Sequence, residues 1–221
     1  MVANLAALDR GTRGSVEGAD LNRQFGENPL RSEAYECGRA EELRQVLDGV
    51  SILVDLHQTL RPIPALAVVR DTPQHLLLAT RAGLSMAVVG AERIYGDTLL
   101  ADFVNRSGGV GITVETGQAG TDSARQVAES TLRTLWTSAP LDSPDAATGL
   151  EVWEIQGALS SPGPDLTFLR PLENASPVKA GEVLGESAQG QVIAPGDGIV
   201  FLPREGQPAG EPCGVFARKR A

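Results

Sequence analysis

Apolar positions follow one rhythm over the first 137 residues of this chain and another beyond residue 148. From Arg31 to about Asp48, the residues Ala34, Cys37, Ala40, Leu43, Val46 and Leu47 recur at threes and fours, the spacing of one helix face. Ser32 is a candidate cap and Gly49 a stop. Short apolar runs then read as strands: Val50 to Leu56, Ala65 to Val69, Met86 to Val89, and Val110 to Val114. Helices fall between them. Asp71-Thr72-Pro73 opens one through Arg81, with proline where no amide donor is needed. A second runs from Asp97 to Asn105 and is stopped by Ser107-Gly108-Gly109. A third, Asp122 to Trp136, sets Val127, Leu132 and Leu135 on one side. Strands alternating with helices predict an α/β layered domain over 1–137. Its first thirty residues read as loop, broken by Gly11, Gly14, Gly18, Gly26 and Pro29.

Residues 138–148, with Pro140 and Pro144 among serines and aspartates, have the composition of a linker. From 149 to 221 the helical period is lost. Short β runs alternate with glycine and proline turns: Leu150 to Ile155, Gln191 to Ala194, Ile199 to Leu202, and Gly214 to Ala217. Pro195-Gly196-Asp197-Gly198 is a tight-turn signal between two of them. A small all-β domain is therefore expected at the C-terminal side, with no histidine and no catalytic centre of its own.

Composition narrows the function classes. At 221 residues the chain can bury a real core, and 42% hydrophobic residues with mixed charges indicate a folded soluble protein. A net charge of −9 argues against nucleic acid or an anionic membrane as partner, because both select basic surfaces. Neither region has a basic face: thirteen basic against nineteen acidic residues precede 149, and six against nine follow. Cys37 and Cys213 stand alone, which fits a reducing compartment. No stretch approaches the ~20 apolar residues of a spanning helix, and Met1 to Leu8 lacks the basic start of a signal peptide. A cytoplasmic location is expected.

Candidate chemistry collects at the ends of predicted strands, where loops carry polar side chains in open α/β sheets. The run ending Val54-Asp55-Leu56-His57-Gln58-Thr59 places an imidazole there, suited to a divalent metal or to proton transfer. A histidine bonded to backbone is the ordinary alternative for such a position. Glu115 ends the Val110 to Val114 run before Thr116-Gly117 and is a candidate general base or metal ligand, or else a helix cap. His75, in the first turn of its helix, reads as an exposed helix residue. The N-terminal loop is rich in anion binders: Arg13 in Gly11-Thr12-Arg13, then Asn22 and Arg23 in Asp20-Leu21-Asn22-Arg23. A guanidinium fork meets a carboxylate at two points and keeps its proton at neutral pH. Surface ion pairs are the alternative for loop arginines. Arg106 is matched to no definite role.

Taken together, Gly11-Thr12-Arg13, Asp20-Leu21-Asn22-Arg23, Asp55-Leu56-His57-Gln58-Thr59 and Glu115-Thr116-Gly117 resemble, in order and spacing, the succinylglutamate desuccinylase and aspartoacylase family. Pro177 to Glu182 followed by Ala194 to Gly198 is similar to that family's C-terminal β domain, itself like a lipoyl or biotinyl barrel-sandwich. The resemblance implies a zinc-carboxypeptidase-like α/β domain followed by a barrel-sandwich-like β domain. It implies a zinc-dependent amidohydrolase acting on a small acidic N-acyl amino acid. His57 would be a zinc ligand, Glu115 the catalytic carboxylate, Arg13 the group that polarises the scissile carbonyl, and Asn22 with Arg23 the holders of the substrate carboxylate. Zinc would lower the pKa of its bound water toward ~7. One departure stands out. The family's first two zinc ligands come from a His-Gly-x-Glu type segment, and none precedes Arg13, so the expected domain reads as N-terminally incomplete. Either an upstream segment is missing and the chain is inactive as it stands, or the metal has been lost and a carboxylate-binding or scaffold protein remains. An incomplete domain would also leave apolar sheet surface open to self-association as a homo-oligomer.

Overall fold

The computed structural model describes residues 3–26, 33–137 and 149–220. The expected linker and Ser32 lie outside these residues. Two compact units make up the chain: Met1–Asp55 with Tyr95–Thr113, and Leu56–Ile94 with Val114–Ala221.

The first unit corrects the expectation of a purely loop-like start. α1 (Leu5–Arg10) is capped at its beginning by the Asn4 side chain, which accepts the Ala7 N–H at 3.0 Å. Gly11, at φ 63, ends it in the left-handed conformation that glycine adopts without strain. A single 3-10 turn, Leu21–Arg23, follows, and then α2 (Tyr35–Val46). Only part of the predicted α2 face is inside. Ala40, Leu43 and Leu47 are buried, whereas Val46 is 63% exposed and Glu36 is buried instead. α5 (Leu100–Arg106) sits where the Asp97 to Asn105 pattern expected a helix. The core joins Leu21, Phe25, Ala40, Leu43, Leu47, Leu100 and Val104, with the Phe25 and Phe103 rings tilted at 6.4 Å.

The second unit is built on strands. β1 (Ile52–Thr59) and β4 (Val110–Gln118) enter it by their C-terminal halves, and both run further than their apolar cores suggested. His57 and Glu115 therefore stand within strands and not at their ends. β2 (Leu66–Val69), α3 (Pro73–Arg81), β3 (Met86–Val89), the short α4 (Glu92–Tyr95) and α6 (Asp122–Thr137) follow the sequence pattern, except that α4 had no periodic signal. α6 buries Ala124 and Thr131, and Leu132 is 55% exposed.

Beyond residue 149 the described chain is strand and turn: β5 (Glu151–Ser160), β6 (Thr167–Phe168), β7 (Ser176–Val178), β8 (Val183–Ser187), β9 (Gly190–Ile193), β10 (Gly198–Phe201) and β11 (Pro212–Lys219). β3 lies parallel to β2, pairing Ala67 with Ala87, and β5 lies parallel to β3, pairing Met86 with Glu151. The eight-stranded mixed sheet has the order β1-β4-β2-β3-β5-β11-β10-β7, and a second sheet is β6-β8-β9. Leu159, Leu166, Leu184, Val200 and Phe216 are among the residues that form the core of these last strands.

Candidate functional site

In the first unit the N-terminal loop is held by a buried carboxylate. Gly14 lies so close to Ala19 that a Cβ would stand 1.9 Å from the Ala19 carbonyl oxygen, so the loop can turn back only with glycine there. Next to it, the Ser15 backbone N–H and hydroxyl donate to Glu36, the hydroxyl at 2.7 Å, and the Asn4 amide donates to the same carboxylate at 3.0 Å. Burial pushes the Glu36 carboxyl up, but the hydrogen bonds from Ser15 and Asn4 outweigh it and the net pKa is below the ordinary value. Three segments thus meet on one side chain: the start of α1, the arginine loop and the first turn of α2.

Asp20 arranges the two arginines. Its Oδ2 accepts from Arg13 Nε at 3.1 Å and Nη2 at 2.8 Å, while its Oδ1 accepts the Asn22 N–H at 3.0 Å and caps the 3-10 turn. Arg13 remains 72% exposed in its side chain. Asn22 is buried and used at both ends of its amide: Oδ1 accepts the Leu100 N–H at 2.7 Å, and Nδ2 donates to Asp55 at 3.3 Å. It works as a brace between the turn, the start of α5 and β1. Arg23 donates through Nη1 to the Asn22 carbonyl at 2.9 Å, and its Cζ lies 4.5 Å from the Tyr95 ring centroid. Arg106 donates to the carbonyls of Asp97 at 2.7 Å and Phe25 at 2.6 Å, which is a backbone-holding role.

In the second unit the Thr116 hydroxyl donates to the His57 carbonyl at 2.9 Å, setting the Glu115–Thr116 peptide beside that of His57. Both His57 and Glu115 are partly buried. His75 is not the exposed residue its position suggested: it is 6% exposed, and its Nδ1 is 2.7 Å from the hydroxyl of Thr72, the cap of α3. Among the described residues, no group of three or more His, Cys, Asp or Glu side chains is placed to hold a metal ion. No helix among them is long and apolar enough to cross a membrane. Sequence reasoning passed over Tyr95 and Glu36. Glu36 left a weak trace as an acid in the first turn of a helix, and Tyr95 left none.

A large mixed sheet together with helices defines a mixed α/β protein. The succinylglutamate desuccinylase/aspartoacylase catalytic domain model matches residues 1–136, and the chain belongs to that family. Its fold is that of a succinylglutamate desuccinylase from Vibrio parahaemolyticus, at 16% identity and TM-score 0.76 over 100% of this chain and 70% of that one. The enzyme of the same name from Chromobacterium violaceum is similar at 20% identity and TM-score 0.76, over 100% of this chain and 72% of that one. The product-bound ectoine utilization protein EutE (DoeB) from Ruegeria pomeroyi is similar at 18% identity and TM-score 0.71, over 98% of this chain and 73% of that one. No curated protein matches the sequence.

Proposed function

We propose that this chain acts on acidic N-acyl amino acids, cleaving the amide between acyl group and amino acid as its family name suggests. The observation that carries this reading is the arginine loop, in which Arg13 and Arg23 are both oriented by contacts around the Asp20 to Arg23 turn. In this reading Arg23 takes the substrate carboxylate in two-point contact, and Asn22 holds the turn that presents it. Arg13 supplies positive charge where the acyl oxygen becomes negative. Glu115 takes a proton from the attacking water and passes it to the departing nitrogen.

Zinc is the metal the family resemblance implies, and a catalytic zinc takes three protein ligands with a fourth position open. His57 is a candidate ligand, but His75 is engaged with its own helix cap, and the described residues offer no group of three. The described residues do not fit a complete zinc site. The same observation favours a second reading, a metal-free protein that binds a carboxylate-bearing ligand. Calorimetry and hydrolysis assays with N-acetyl- and N-succinyl-amino acids, with and without a chelator, separate the two. Hydrolysis lost on Glu115→Gln supports the first. Binding that survives chelator and His57→Ala but not Arg23→Ala supports the second. A chain that neither binds nor cleaves any of them refutes both.

A further inference from the structure

Tyr95 lies outside every motif discussed so far, yet it is built into the arginine loop. It ends α4, and its carbonyl accepts the Thr98 hydroxyl at 2.9 Å, which closes the turn that follows. That turn is fastened to the segment just after Arg23. The Phe25 N–H donates to the Thr98 carbonyl at 3.2 Å, and Arg106 bridges the carbonyls of Asp97 and Phe25. Gly26 packs against Thr98 so closely that a Cβ would come within 3.1 Å of its methyl group. The Tyr95 ring is therefore carried to Arg23 by a fixed piece of backbone and stands 4.5 Å below its guanidinium carbon.

The chemistry of that contact matters for recognition. An aromatic ring attracts the face of a guanidinium and leaves its in-plane N–H donors unused. Among the described residues, the one hydrogen-bond partner of the Arg23 guanidinium is the Asn22 carbonyl on Nη1, and no acid among them forms an ion pair with it. A guanidinium set over a ring and tied at one nitrogen keeps N–H donors for a planar, doubly accepting anion. Arg13 differs, because Asp20 already occupies its fork.

We propose that Tyr95 is the positioning residue for Arg23: its ring fixes the plane of the guanidinium so that the free edge meets the carboxylate of the ligand. The inference rests on the reading of Arg23 as the carboxylate holder. It assigns the holding of the guanidinium to an aromatic face and not, among the described residues, to an acid.

The test uses the full chain and N-succinyl-L-glutamate as probe, with binding measured by calorimetry and the Arg23 Nε–Hε signal followed by NMR. Tyr95→Phe keeps the ring and is expected to bind as wild type, with the Arg23 signal still shifted upfield by the ring current. Tyr95→Leu is expected to lose that shift and bind about 2- to 5-fold more weakly, the range of a partly exposed cation–π contact. Arg23→Ala should weaken binding further. Tyr95→Leu binding as tightly as wild type overturns the proposal, and so does Tyr95→Phe binding as weakly as Tyr95→Leu. An Arg23→Ala protein that binds like wild type instead refutes the carboxylate reading of Arg23, even where the ring-current shift is present.

Discussion

Glu36 is the side chain on which the arginine loop depends. Its carboxylate is buried, and it receives the Ser15 N–H and hydroxyl together with the Asn4 amide. Replacing it with alanine strands these donors away from water, and Glu36→Ala is expected to destabilise the fold by about 3 kcal/mol in chemical denaturation. The pKa of Glu36 is depressed in the folded state, so the unfolded chain binds the proton more readily. The stabilisation is fully present above the ordinary glutamate value of about 4.3 and is lost as pH falls through the lower folded value. Wild type should therefore lose stability on acidification over that window, and Glu36→Gln should lose less. Equal acid slopes for the two would count against this account. Asn22 illustrates another limit of residue-by-residue reading. A motif marks it as polar and near a ligand, but only the fold reveals that Leu100 and Asp55 already use both ends of its amide.

Helices and strands were legible where their pattern was local. Pro73 after a threonine cap and the β-branched runs at 66–69 and 86–89 each specify an element from a few neighbouring residues, whereas the helix expected to stop at Gly49 ends earlier, at Val46 with Leu47 as its cap. α1 was equally local, with an asparagine cap and a left-handed glycine, but its brevity hid it among glycines. The extent of β1 and β4 was not legible, because polar residues such as His57, Gln58 and Glu115 remain in a strand only when a neighbouring strand takes their backbone groups. Packing between α5 and β4 is tight at Gly111, where a Cβ would sit 2.7 Å from the Ala101 carbonyl oxygen. Gly111→Ala should push α5 away and cost about 1–3 kcal/mol. Unchanged thermal and denaturant midpoints would contradict this contact.

The sheet continues from the α/β part into the C-terminal strands, since β5 lies parallel to β3 and β11 antiparallel to β5. Strands that share a ladder hold together when the connection between them is cut. A protease site engineered between residues 140 and 144 should give fragments that co-elute under native conditions and separate only in denaturant. Fragments that part in native buffer would mean that the β3–β5 pairing does not bind the pieces.

The mixed α/β character, the run of most elements and the family motifs were written into the sequence, because hydrophobic period, caps and turn residues act over a few positions. Partnerships across long separations were decided by the tertiary structure alone. The Glu36 carboxylate that gathers three segments, the Asn22 amide spent on the scaffold, the Tyr95 ring under Arg23 and the joining of β5 to β3 all pair groups that are distant along the chain. Burial and hydrogen-bond geometry choose such partners, and neither is fixed until the whole chain has folded around them.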